Sequence, residues 1–238
     1  MNIKAVLSAL ALGPVLALSA APAALADWTG EGEFGAVVAR GNTDSDNYNG
    51  RLTLGYETGS WTHTGFIAGL GNASNGETSA ERYELGLQSN YAVSPTSYWF
   101  GSFRYEDDRF SAFEYQTTLA GGYGRTLIDD GTTTLTGEIG LGYRQSDPLG
   151  PESSSGDAIL RGGLNYNRQL TQTTVIGNRF LVESGADNTY LENEASIAVS
   201  IVENLALKLG LVIRHNTDTP PATEDTDTVT SVTLAYKF

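Results

Sequence analysis

From Trp28 onward the chain alternates between apolar and polar residues. Val232, Leu234, Tyr236 and Phe238 share one face of an extended segment, and Ser231, Thr233, Ala235 and Lys237 share the other. Leu205, Leu207, Leu209, Leu211 and Ile213 stand opposite Lys208 and Arg214 in the same way. Leu191, Ala195, Ile197, Val199 and Ile201 oppose Glu192, Glu194, Ser196 and Ser200. Leu135, Ile139, Leu141 and Tyr143 oppose Glu138 and Arg144, while Tyr48, Leu52, Leu54 and Tyr56 oppose Arg51 and Glu57. An aliphatic face set against a charged one, repeated with period two, suits strands with lipid on one side and water on the other. Segments 61–72 and 173–184 carry apolar residues on both parities, so their faces stay unassigned.

The alternation divides the chain into about twelve strands, each near the length that crosses a membrane when tilted. They run over 28–40, 47–58, 61–72, 81–92, 98–108, 113–127, 133–145, 157–169, 173–184, 188–201, 204–215 and 227–238. Open sheet edges in hydrocarbon would leave backbone N–H and C=O groups unpaired, so strands in lipid must close into a barrel. The expected fold is therefore an all-β, transmembrane, antiparallel up-and-down barrel spanning residues 27–238. Connections after even strands are short, as at Gly59-Ser60 and Val202-Glu203; after odd strands they are longer at 73–80, 146–156 and 216–226. Short periplasmic turns and longer outer loops give that asymmetry, with an even strand count and both termini on the periplasmic side.

Aromatic residues mark the two ends. Trp28, Trp61 and Trp99 begin odd strands, and Tyr56, Tyr91 and Tyr123 lie near the ends of even ones, so all six fall at the periplasmic end with Tyr236 and Phe238. Tyr48, Tyr83, Tyr105, Tyr143 and Tyr190 fall at the opposite end. Two such girdles place amphipathic rings at the two membrane interfaces.

The N-terminus fits export. Lys4 precedes an apolar run from Ala5 to Ala21, and Ala24-Leu25-Ala26 is an A-x-A cleavage site, so residues 1–26 read as a signal peptide cut after Ala26. The chain has no Cys, which removes disulfides and thiol chemistry. It carries 28 acidic against 14 basic residues, for a net charge of −14, which argues against nucleic acid as a partner. The apolar last strand ending on Phe238 resembles the C-terminal strand of bacterial outer-membrane barrels. That resemblance implies the outer membrane as location, its lipid and lipopolysaccharide as surroundings, and the barrel-assembly machinery as a partner.

Parity also sorts the charges. Arg51, Glu57, Arg82, Glu84, Arg104, Glu106, Glu138, Arg144, Arg161, Glu192, Glu194, Lys208 and Arg214 fall on the water-facing side, as do Glu33, Glu114, Arg179, Glu183 and Lys237. Acids and bases are nearly matched there, so no excess of Arg and Lys marks the lumen as an anion channel. The surplus acid lies in connections, at Asp44, Asp46, Asp147, Glu152, Glu224, Asp225 and Asp227, where it raises the local cation concentration. These carboxylates are also hard oxygen donors for a divalent cation, but their spacing matches no EF-hand and the plainer reading is a solvated rim. The function expected is a narrow passive channel for small polar solutes or ions with weak cation preference. The alternative is a non-conducting structural barrel of the osmotically stressed outer membrane.

An enzyme is not expected. The chain has 2 His, His63 and His215, on strands that are not neighbours, and it has no Gly-x-Ser-x-Gly elbow. With no Cys they cannot make a normal Zn²⁺ site, and no cofactor is implied.

The first hairpin reads Trp28-Thr29-Gly30 through Phe34-Gly35, then Arg40-Gly41-Asn42-Thr43-Asp44, with Tyr56-Glu57 and Trp61 following. These motifs resemble a bacterial family known as salt-induced outer-membrane proteins, a β-barrel domain of unknown function. The resemblance implies fold and location. It carries no functional residue, and Gly41-Asn42 is read as a tight turn.

Overall fold

The structure is a computed structural model that describes residues 28–39, 45–74, 77–148, 154–220 and 223–238. The expected signal peptide and the Gly41-Asn42-Thr43 turn lie outside these residues, as do Asp44 and Glu152. Among the described residues, twelve strands close into one barrel, each hydrogen-bonded to the next in sequence. They are β1 (Trp28–Ala39), β2 (Ser45–Thr58), β3 (Trp61–Ser74), β4 (Glu77–Ser94), β5 (Ser97–Asp108) and β6 (Phe113–Asp129), followed by β7 (Thr133–Pro148), β8 (Ser155–Gln169), β9 (Thr174–Ser184), β10 (Thr189–Val202), β11 (Leu205–Asn216) and β12 (Thr226–Lys237). All twelve pairings are antiparallel, and β12 returns to β1.

The predicted loop asymmetry is weaker than expected. β3 runs on to Ser74 and β4 starts at Glu77, so the hairpin reaches into the stretch 73–80 read as a loop. β7 likewise carries Asp147 within the strand. The reason is that a ladder beginning in the membrane keeps pairing beyond it, and Thr78 and Ala80 continue the register opposite Ala73 and Asn72. At the other end the turns are tight: Gly59 (φ 59°) and Gly131 (φ 83°) adopt backbone that a side chain would strain.

The outer surface is apolar, with Leu119, Ile139 and Leu141 exposed by 61–70 %. At the short-turn end each tryptophan sits directly across from a tyrosine, pairing Trp28 with Tyr56, Trp61 with Tyr91 and Trp99 with Tyr123. Their ring centroids are 4.7, 5.0 and 5.5 Å apart. Tyr236 and Phe238 complete that girdle at 6.4 Å. In the other girdle Tyr48, Tyr83, Tyr105 and Tyr143 face outward, but Tyr190 does not. It shares the parity of Glu192 and turns into the lumen, where 2 % of it is exposed.

The seam between β1 and β12 has a shorter ladder than its neighbours, with Glu31 to Phe34 opposite Lys237 to Leu234. Two further hydrogen bonds extend it, from Gly30 N–H to the Phe238 carbonyl at 2.8 Å and from Phe238 N–H to the Gly30 carbonyl at 2.9 Å. The Phe238 ring lies over Gly30, where any Cβ would overlap it. Trp28-Thr29-Gly30 and the terminal Phe238 are thus two halves of one closure. Gly30→Leu is expected to lower unfolding free energy by about 1–3 kcal/mol through overpacking. Urea titration followed by tryptophan fluorescence in vesicles measures it, and an unchanged midpoint would contradict this packing.

The lumen as candidate functional site

The inward rows of β4, β5 and β7 to β11 bring acids and bases together across the barrel. Glu192 on β10 is the hub, with 1 % of its side chain exposed. It accepts hydrogen bonds from Arg179 at 2.7 Å, Arg214 at 2.9 Å and the Tyr190 hydroxyl at 2.8 Å. Glu183 on β9, fully buried, faces Arg161 at 3.2 Å and Arg104 at 3.6 Å. Arg104 also lies 4.7 Å over the Tyr190 ring. Among the described residues Arg144 forms no ion pair and donates instead to the backbone carbonyls of Glu183 and Asn188, at 3.3 and 2.7 Å.

Register explains how like charges coexist. Glu84 and Glu106 are direct cross-strand partners, an arrangement that repels on its own. Arg82 reaches Glu106 at 2.6 Å and Asp108 at 3.3 Å, and Arg214 approaches Glu84 at 3.9 Å, so a guanidinium serves each carboxylate. Together with Ile159 and Leu181, these residues fill the half of the lumen toward the long loops.

Toward the short turns the lumen is wetter. Lys208 bridges Glu33 at 2.7 Å and Glu31 at 3.8 Å, with about a quarter of its side chain exposed. Arg179 and Arg51 hold Glu194 at 2.9 and 3.9 Å. Gln88 and the Tyr98 hydroxyl donate to Glu138 at 2.8 and 2.9 Å. A cavity of about 390 Å³ runs against β1 to β3 and β10 to β12, from Glu31 and Lys208 up to Leu70 and Val229, and is closed by Arg82 of β4, Asn165 of β8 and Arg179 of β9. A second, of about 260 Å³, lies beside it under Thr64, Gln88, Ser102 and Thr118. Arg51, Asn165 and Arg179 line both and form the waist between them.

Of the charged residues read from parity as lumen-facing, two do not join the network. Glu57 is exposed at the end of β2, beyond the ion pairs. Glu114 is exposed at the other rim, where a bulge between Phe113 and Tyr115 breaks the alternation of β6. Strand β3, unassigned by pattern, turns Phe66, Ala68 and Leu70 inward and Ile67 outward; Arg51 stacks 3.8 Å over the Phe66 ring. Strand β9 turns Leu181 in with Arg179 and Glu183. Apolar lumen residues blurred both patterns. Phe66 lies over Gly86, and that small neighbour was the available signal that a ring points inward.

Of the rim acids, Asp147 accepts from the Ser154 hydroxyl at 2.8 Å and Asp225 from Thr219 at 2.6 Å, Glu224 is exposed, and Asp46 and Asp227 are half-buried. His63 bonds Ser89 at 2.8 Å on the outer face, and His215 meets Thr226 at 2.9 Å; β12, β1 and β2 stand between their strands.

A family model described as protein of unknown function, DUF481, matches residues 32–238. The chain belongs to that family. It is 28 % identical over 218 residues to the uncharacterized protein YdiY of Escherichia coli (strain K12), covering 86 % of this chain and 81 % of that one. Among solved structures it resembles the NanC porin with a TM-score of 0.50 and 7 % identity, over 87 % of this chain and 97 % of the porin. It also resembles the translocator domain of the autotransporter NalP from Neisseria meningitidis, at a TM-score of 0.49 and 14 % identity over 99 % and 92 % of the two chains. The porin likeness is one of fold, that of an outer-membrane β-barrel.

The lumen network has a measurable signature. Glu183→Gln removes the fully buried carboxylate shared by Arg104 and Arg161, leaving them only the longer pairs to Glu192 at 3.8 Å and Glu138 at 3.6 Å, and is expected to cost about 3–5 kcal/mol. Glu81→Gln breaks the exposed pair with Arg109 and is expected to cost about 1 kcal/mol or less. Parallel urea titrations compare the two, and equal losses would contradict the burial of the cluster.

Proposed function

We propose that the protein is a narrow, off-axis passive channel of the outer membrane for small polar solutes or ions, its short-turn end in the periplasm. The observation that carries this reading is the unfilled lumen against β1 to β3 and β10 to β12. Beside the buried cluster, inward side chains such as Asn49, Arg51, Ser196 and Ser231 remain only half-buried around the 390 Å³ cavity. A packed structural barrel has no need of that space.

Twelve strands enclose far less room than the 16–18 of general porins, and the charged cluster takes a large share of it. Passage is therefore limited to small solutes by the waist at Arg51, Asn165 and Arg179. The cavity walls carry both signs of charge, with Glu31, Glu33 and Glu194 among Arg51, Arg179 and Lys208, so the lining adds little selectivity. The acidic connections at the long-loop rim supply a weak cation preference by enriching cations at the mouth.

One observation favours the non-conducting, structural reading: Glu183, Glu192, Arg144 and Tyr190 are almost wholly shielded from solvent in the long-loop half. Planar-bilayer recording of the mature protein under a salt gradient separates the two. Small, stable steps with a cation-side reversal potential are expected, and the paired substitution Arg51→Ala, Arg179→Ala is expected to enlarge the steps and move the reversal potential further to the cation side. Silence from wild type and variant alike, with insertion verified by protease protection, would reject the channel.

A further inference from the structure

Among the described residues, the basic side chains divide into three groups by partner. Nine form ion pairs with carboxylates: Arg51, Arg82, Arg104, Arg109, Arg161, Arg179, Lys208, Arg214 and Lys237. Arg144 is held by two backbone carbonyls. Arg125 and Arg168 belong to neither group, and both lie on the outer face at the short-turn end. Arg125 follows Leu119 and Tyr123 along the lipid-facing row of β6, and Arg168 follows Leu164 and Tyr166 along that of β8. Across β7, Arg125 is the register partner of Gly137 and Arg168 of Thr133, so Arg168 stands nearer the turns. The acid near Arg168 is Asp130, whose carboxylate accepts from the N–H and hydroxyl of Thr132 and the N–H of Thr133; these bonds, and to a lesser extent the charge of Arg168, hold its pKa below the usual range.

Between these two strands the outer surface is grooved. A cavity of about 450 Å³ is lined by Tyr123, Leu127, Gly137, Ile139, Leu164 and Phe180, with Arg125 on its wall. Gly137 makes the groove. A Cβ built there would stand 3.3 Å from Leu127 and 3.6 Å from Leu164, in the space between their side chains. The feature thus joins an apolar trough to the guanidinium of Arg125 on its wall, with Arg168 four β7 positions nearer the turns; among the described residues neither arginine forms an ion pair.

A guanidinium on a lipid-facing row is costly toward the bilayer midplane and tolerated near the interface, where it meets phosphate. Arginine suits that partner, because its planar fork donates two parallel hydrogen bonds to phosphate oxygens. We propose that this groove binds an anionic glycerophospholipid of the periplasmic leaflet, with one acyl chain over Gly137 and the phosphate held by Arg125 and Arg168. The assignment to that leaflet rests on the reading of the short-turn end as periplasmic. The apolar trough selects a lipid over a free phosphate ion, and the orientation selects phospholipid over lipopolysaccharide.

Native mass spectrometry of the mature barrel released from detergent tests this directly. The probes are phosphatidylglycerol, lipid A and inorganic phosphate, each added separately. Barrel integrity of every variant is checked by the shift in gel mobility on heating. Retention of phosphatidylglycerol is expected for the wild type. It is expected to fall about fivefold in Arg125→Gln or Arg168→Gln, and further in the pair. Gly137→Leu is expected to abolish retention with both arginines in place, while Lys237→Gln, away from the groove, leaves it unchanged. Equal retention by wild type and all variants would overturn the groove as a site. Binding of inorganic phosphate that depends on the arginines and survives Gly137→Leu would overturn the lipid and leave a free-anion site. Arginine-dependent retention of lipid A in place of phosphatidylglycerol would overturn the periplasmic orientation and leave the groove standing.

Discussion

Backbone groups inside hydrocarbon have no water to bond, and the molecule is organised around that constraint. Each strand pairs on both sides, and the ring closes only because β12 meets β1. The closure is brief, so its ends matter: Gly30 gives the Phe238 ring a flat seat, and the terminal residue trades two backbone hydrogen bonds with it. Once the ring is closed, parity alone decides what faces lipid and what faces the lumen. The Trp–Tyr pairs then hold the short-turn rim at the membrane interface, each tryptophan opposite its tyrosine by register.

Closing twelve strands leaves a lumen to be filled, and this chain fills much of it with charge. Buried ion pairs are seldom a net gain over well-packed apolar residues, but breaking one leaves an uncompensated charge. Glu192 and Glu183 each serve several arginines, tying β5, β8, β9, β10 and β11 together across the barrel, and the pairs of Arg82 and Glu84 join β4 to them. Its cost is offset where carboxylates accept several hydrogen bonds, as Glu192 does from Arg179, Arg214 and Tyr190. Where the network thins, beside β1 to β3, the space opens into the cavities from which the channel reading starts.

Much of this was legible in the sequence, for a physical reason. A membrane barrel exposes its cores to two different solvents, so period-two alternation survives in β2, β7, β10, β11 and β12 with little ambiguity. The lumen residues Arg51, Glu138, Glu192 and Lys208 follow from that alternation alone. It failed where the lumen itself is apolar, because Phe66 and Leu181 point inward and share a face with charges. It misplaced Tyr190, since a tyrosine near a strand end reads as a girdle residue while its hydroxyl is committed to Glu192. It could not see the bulge that sets Glu114 apart, nor which arginine meets which glutamate, because those pairings cross the barrel between strands distant in sequence. That Arg125 and Arg168 form no ion pair among the described residues is visible only once the other pairs are known.

The absence of Cys makes single-cysteine accessibility the most direct test of the account. Cysteines placed at Ser196, Ile197, Glu192 and Ser231 would be exposed to a charged, membrane-impermeant thiol reagent in vesicles holding the folded barrel. Reaction at positions 196 and 231, with none at 197 in the lipid and none at 192 in the packed cluster, is the predicted pattern. Equal reaction at positions 196 and 197 would contradict the two faces, and reaction at 192 as fast as at 231 would contradict the filled half of the lumen.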